Sequence, residues 1–335
     1  MIVDDHNGRD DVRLRPALDA VAAGQWQVAR ESMVPTRTDF DRRSYVSGVL
    51  AEAVVGVRQR ELRRRRLTPG EQIDTTYAWP DVWVAAEPDN PDAHLVRARS
   101  LLIRAWEVGR TGWAEGINER SLPEFVRLTE LAAIEADEAA RLLPSDPNPW
   151  AFRILLSIPL SAERPAMEEA WQEVIARDPG HRMAHDVKFL YLCERWLGSH
   201  EAMYHFARTA AATAADGSPL HILPICANAE WSARRPRGGQ TPEQRWAGAE
   251  FNADLDNALD RWFRVAQTRH GMWHEDANTL AYGLWRAGRH AEAKPVFAAI
   301  GPYATASPWA GTVRGRRLSF RMARRAAMRG GLLRT

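Results

Sequence analysis

Apolar positions recur along most of the chain at three- and four-residue intervals, the spacing that brings side chains onto one face of a helix. The clearest run is Ala170 to Ala211. There Ala170, Val174 and Ile175 end one apolar face, and Asp178-Pro179-Gly180 stops the helix, because proline cannot continue the hydrogen-bond ladder. A second helix is expected from Met183 through Val187, Leu190 and Tyr191 to Trp196. Gly198 then permits a reversal into a helix that carries His200, Met203, Phe206 and Ala207. One such hairpin cannot bury its own stripe in water, so it requires neighbours of the same kind.

The same periodicity predicts further helices on both sides. Leu14 to Ala23 and Trp26 to Met33 pair around Gly24, and Asp39 caps a helix through Tyr45, Val49, Leu50 and Val54 into the arginines Arg58, Arg60 and Arg63 to Arg66. Val82 to Ala86, Ala93 to Val108, Leu122 to Leu142 and Trp150 to Ile158 follow, with Pro69-Gly70, Gly109 to Gly116 and Asp146-Pro147-Asn148-Pro149 as breaks. Beyond the central stretch come Leu220 to Trp231, Leu255 to Gln267, Ala277 to Ala287 and Ala291 to Ile300, with Arg234 to Thr241 as a basic loop. Pro147 and Pro179 stand close to the period of roughly 34 residues typical of a two-helix repeat. Pro88 and Pro147 stand nearly twice as far apart, so the repeats are degenerate.

Two turns share a detailed pattern: Gly24-x-Trp26-x-x-Ala29 and Gly288-x-His290-x-x-Ala293-x-x-x-Phe297. Glycine serves the turn, an aromatic ring wedges between helices, and alanine sits where two backbones must approach closely. Together with the junction Asp178-Pro179-Gly180-His181, these residues resemble the tetratricopeptide-repeat superfamily. Trp196 to Arg208 and Ala299 to Trp309 also resemble segments of actinobacterial helical proteins of unknown function. The resemblance implies an all-α fold of stacked helical hairpins, either a degenerate α-solenoid or a more compact array, that binds peptides or proteins in a groove. The expected organisation is a polar lead over 1–13, a repeat domain over 14–310 and an arginine-rich tail or capping helix over 311–335.

Composition narrows this picture. With 335 residues, 45% hydrophobic and 26% charged, the chain can bury a sizeable core. Its formal charge of +2 does not mark the whole chain as a nucleic-acid binder. Lys188 and Lys294 are the only lysines, so arginine carries nearly all positive charge. Cys193 and Cys226 are too few for a disulfide scaffold or a cysteine zinc site. The acidic start lacks a signal peptide's basic-then-apolar order, and no apolar run approaches the roughly 18 residues of a membrane span, so a cytoplasmic location is expected.

Candidate chemistry is sparse, with no phosphate-cradling glycine loop, nucleophile elbow, CxxC or HExxH. His181 and His185 are four apart, as are His270 and His274, so each pair could face one way; brought together, the four would suit zinc, iron or haem. The competing reading makes His181 a helix-start residue and His200 and His290 packing wedges. The tail offers Arg316, Arg317, Arg321, Arg324 and Arg325 without an acid, as a capping helix or as an arm for nucleic acid or anionic lipid. The first functional reading is a non-enzymatic adaptor for a protein or peptide, with no cofactor assigned. The second is a metal- or haem-dependent enzyme built on the four histidines. The third is a regulator that touches nucleic acid through the tail.

Overall fold

Helix ends follow proline, glycine and the acceptor side chains beside them. The computed structural model describes residues 3–4, 8–65, 79–109, 119–234, 241–310, 312 and 315–330. Every regular element there is helical, and the sole β interaction among the described residues is an isolated parallel bridge between Asp4 and Tyr303. Arg66, Pro69-Gly70, the expected loops past Gly109 and Arg234, and Arg314 and Arg334 lie outside the described residues. The chain divides into two units, residues 11–191 and residues 1–10 with 192–335.

The unit of residues 11–191 contains α1 (Leu14–Ala22), α2 (Trp26–Met33), α3 (Phe40–Arg65), α4 (Trp79–Ala86), α5 (Pro91–Val108), α6 (Leu122–Leu142), α7 (Asn148–Leu156), α8 (Arg164–Arg177) and α9 (Arg182–Tyr191). Asp39 caps α3 as expected, accepting the Arg42 N–H at 2.9 Å, and Asn90 caps α5 from the Asp92 N–H at 2.9 Å. One core gathers Leu14, Val21, Met33, Leu50, Trp83 and Leu95. Another joins α5 to α6 through Ala98, Ala105, Ala132 and Ala136, whose small side chains let the two helix backbones approach closely.

A buried polar knot crosses this unit. Arg43 on α3 is fully buried; its Nε donates to Asp146 Oδ2 at 2.5 Å, and its Nη1 lies 2.5 Å from Asp92 Oδ1. The second contact is off the hydrogen-bond axis, so charge holds it. Asp146 Oδ1 also accepts the Asn148 backbone N–H at 2.9 Å, which caps α7. The proline turn at Asp146 and the first turn of α5 thus carry the carboxylates for a core arginine. Ser44, Ser47 and Gly48 give α3 a small-residue side, and Arg99 reaches across it, 3.1 Å from Ser44 Oγ.

The other unit contains α10 (His200–Thr213), α11 (Leu223–Arg234), α12 (Pro242–Trp246), α13 (Ala249–Ala258), α14 (Trp273–Arg286), α15 (His290–Ile300) and α16 (Arg316–Gly330). Its core gathers Trp246, Leu255, Trp262, Leu280, Phe297, Trp309 and Phe320. Trp309 Nε1 donates to Asn278 Oδ1 at 2.8 Å, and the Asn278 amide reaches the His274 and Tyr303 carbonyls. The first residues are not merely a solvated lead. Val3 is buried in this core, the Asp4 N–H donates to the Pro302 carbonyl at 2.9 Å, and the Ala304 N–H returns to Asp4 at 3.1 Å.

The two glycine turns behave alike, each in its own unit. Gly24 and Gly288 have φ of 92° and 73°, a region that costs other residues strain. In both turns the next N–H bonds back five residues, Gln25 to the Ala20 carbonyl at 3.1 Å and Arg289 to the Leu284 carbonyl at 2.8 Å. Ala29 and Ala293 are both fully buried.

Between Asp178 and Ala211 the chain differs from expectation, because α9 stops at Tyr191 rather than Trp196. Residues 192–199 close a compact turn in which the Gly198 N–H reaches the Cys193 carbonyl. A Cβ on Gly198 would lie 2.1 Å from the Leu192 carbonyl oxygen. Gly198→Ala is therefore expected to cost about 1–3 kcal/mol. Chemical denaturation of the full chain checks this, and an unchanged midpoint would remove the close approach from the account.

Candidate functional site

The helix pair α7 and α8 opens a cleft of about 430 Å³, a volume that takes a few side chains. From α7 and the residues after it come Trp150, Arg153, Leu156, Ser157, Leu160 and Ala162. Trp150, Arg153 and Ser157 recur at helical spacing, so one side of α7 supplies a ring, a cation and a hydroxyl. From α8 come Ala166 and Ala170, one turn apart, beside Glu169 and Glu173, also one turn apart. The alanines keep the cleft open, because a longer side chain at either position would fill it.

The walls are held in place by the rest of the unit. Asp146 fixes the start of α7 through Asn148. The Arg177 guanidinium stands 5.5 Å from the Trp150 ring centre while its Nε donates to the Pro144 carbonyl at 2.6 Å and its Nη1 to Glu173 Oε2 at 2.6 Å. Trp150 Nε1 is buried with no hydrogen-bond partner among the described residues. Leu160 is 38% exposed at the rim. The cleft therefore offers apolar surface, a cation at Arg153, which also stands 3.5 Å from Asp137, and the carboxylate of Glu169, while Glu173 is held by Arg177. No histidine or cysteine lines it.

The four histidines are placed as two pairs, His181 and His185 in one unit and His270 and His274 in the other. His181 caps α9: its Nδ1 accepts the Ala184 N–H at 3.0 Å, which places the ring proton on Nε2. His185 Nδ1 then donates to the His181 carbonyl at 2.9 Å. Burial pushes both imidazoles down to about 4, so both are neutral at pH 7. His274 Nε2 lies 2.8 Å from Asp10 Oδ1, and His270 Nε2 lies 3.5 Å from Asp276 Oδ2. Among the described residues no group of three or more His, Cys, Asp or Glu side chains is arranged to hold a metal ion.

The tail arginines divide. Arg317, Arg321 and Arg325 are exposed on α16 and Arg316 is half-buried. Arg324, one of the five arginines offered for a capping helix or an arm, is turned onto the carbonyls of Phe297 and Gly301, where it satisfies the C-terminal end of α15. Several aromatic faces are taken by the chain's own cations. Arg245 stands 4.6 Å from the ring centres of both Tyr204 and Trp231, and Arg269 stands 3.8 Å from that of Trp273.

In the sequence Trp150 stands only at the start of an expected helix, and nothing there marks the cleft. The row Ala162, Ala166 and Ala170 facing Trp150 is one that periodicity cannot separate from close helix packing. No family model matches the chain, and no match is found among curated proteins or among solved structures.

Proposed function

We propose that this protein is a helical-hairpin adaptor of tetratricopeptide-like design whose α7–α8 cleft binds a peptide segment of a protein partner. The observation that carries the reading is a cleft with an apolar floor, bordered by Arg153 on one side and by Glu169 on the other. That chemistry suits a segment with an apolar anchor followed by a basic residue, the anchor seated against Trp150, Leu156 and Leu160. Further support comes from the shared turn geometry at Gly24 and Gly288 and the full burial of Ala29 and Ala293, the positions on which the resemblance rests.

Ala166→Trp fills the cleft without touching the buried charges. Native mass spectrometry of the full chain purified gently from its own host is expected to show a bound polypeptide with the wild type. The purified polypeptide should bind Ala166→Trp and Leu160→Asp at least about tenfold more weakly. Equal affinity for wild type and both variants would move the binding site elsewhere, and the absence of any bound polypeptide would count against the adaptor reading.

A further inference from the structure

Helix α16 docks on its own unit through Phe320, Ala323 and Ala327, all fully buried, and Arg324 pins the same side to the end of α15. Docking fixes which residues face out. Arg317, Leu318, Arg321, Met322, Arg325 and Arg329 are exposed, and no acid occurs from Arg316 to Gly330. Leu318 and Met322, one helical turn apart, are 49% and 37% exposed and stand beside the row formed by Arg317, Arg321 and Arg325. On α15 the carboxylate Glu292 is occupied by Arg289 at 2.5 Å.

We infer that this outer face of α16 is a peripheral docking surface for an anionic lipid bilayer. The exposed guanidinium groups of Arg321 and Arg325 match a surface of phosphate headgroups, to which each can make bidentate hydrogen bonds. The aliphatic pair decides between polyanions. On a bilayer Leu318 and Met322 reach the acyl boundary while the flanking arginines stay at the headgroups. On a nucleic acid those two side chains would be laid against a phosphate backbone with nothing apolar to meet. No helix among the described residues is long and apolar enough to cross a membrane, so the contact is superficial and reversible.

The full chain is expected to co-sediment with phosphatidylcholine vesicles containing phosphatidylglycerol and to stay in solution with pure phosphatidylcholine. Arg321→Glu with Arg325→Glu should lower binding to the anionic vesicles at least about tenfold. Leu318→Ala with Met322→Ala should also lower it, and should steepen the salt dependence of what remains. All four side chains are exposed, so thermal melting of both double variants should match the wild type; a variant that melts early is replaced by Arg321→Gln with Arg325→Gln. Binding to anionic vesicles that neither pair alters, or no such binding at all, overturns the proposal. Retention on DNA or RNA that falls with the arginine pair and not with the aliphatic pair, without vesicle binding, would reassign the face to nucleic acid.

Discussion

Replacing Asp146 with alanine is expected to cost the unit of residues 11–191 about 3–5 kcal/mol, the range for breaking a buried ion pair by removing one partner. Three roles end together. Arg43, fully buried, keeps only the charge-held contact to Asp92. Arg99, which burial pushes down to about 10, loses the favourable field of Asp146 and keeps the unfavourable one of Arg43. The start of α7 loses the acceptor for the Asn148 N–H, so the loss reaches the helix that carries Trp150 and Arg153. Asp146→Asn keeps an acceptor for that cap and removes only the charge, so it should cost less than alanine. Denaturant unfolding of the full chain followed by tryptophan fluorescence measures both. A cost below about 1 kcal/mol for alanine would mean that Asp92 alone satisfies Arg43. Because α7 moves with its cap, Asp146→Ala should also weaken the partner binding assigned to the cleft.

Acidification from pH 7 to pH 4 should destabilise the same unit through His181 and His185. Their folded values of about 4 lie below the ordinary 6.5, and burial is the main cause. Their stabilising contribution is present above pH 6.5 and is lost as pH falls through 4, on the order of 3 kcal/mol for each. The structural event is specific at His181. A proton on Nδ1 removes the acceptor that caps the Ala184 N–H, so acid uncaps α9. Asp41, His94 and Asp178 work in the other direction, the last raised mainly by burial. Burial raises Asp41 to about 6, so its contribution is present at low pH and lost as pH rises through that value. His94 is also raised: burial is the largest single influence and opposes the shift, but the hydrogen bonds to Glu135 at 2.6 Å and to the Pro88 carbonyl and the charges of Glu135 and Glu138 together outweigh it. The clean measurement is therefore the difference between wild type and variants. His181→Asn keeps a capping oxygen and does not titrate, and His185→Gln keeps an amide donor. Each should leave stability at pH 7 within about 1 kcal/mol and flatten the loss between pH 6.5 and 4. Denaturation series at several pH values that run parallel for wild type and both variants would refute the assignment.

Most of the helical order was legible because its signals are local. Leu122–Leu142 and Trp26–Met33 form as their apolar spacing predicts, Asp39 and Asn90 cap helices from within a few residues, and Gly24 and Gly288 turn the chain at positive φ. A helix cap, a proline stop and a left-handed glycine are decided by neighbours in sequence, so a sequence suffices to find them. Thr241 and Gln244 form a reciprocal capping box that starts α12, and that signal too stands in the sequence, overlapping a stretch read as a basic loop.

The site residues depend on what lies opposite. Asp92 looks like a helix-start residue and Asp146 like a turn residue until Arg43 is folded between them. Arg324 and Arg325 are neighbours in a run of arginines, and only the docking of Phe320 and Ala323 turns the first onto the α15 carbonyls and leaves the second in solvent. Val3 and Asp4 read as part of a polar lead until residues 302–304 supply the backbone partners of Asp4 and Val3 is buried beside them. The sequence by itself determined which segments are helices and where they stop, since those energies are set within a turn or two. Tertiary structure alone decided which charges are buried, which histidines stay neutral and where a cleft remains open, because desolvation and packing arise only when distant segments meet.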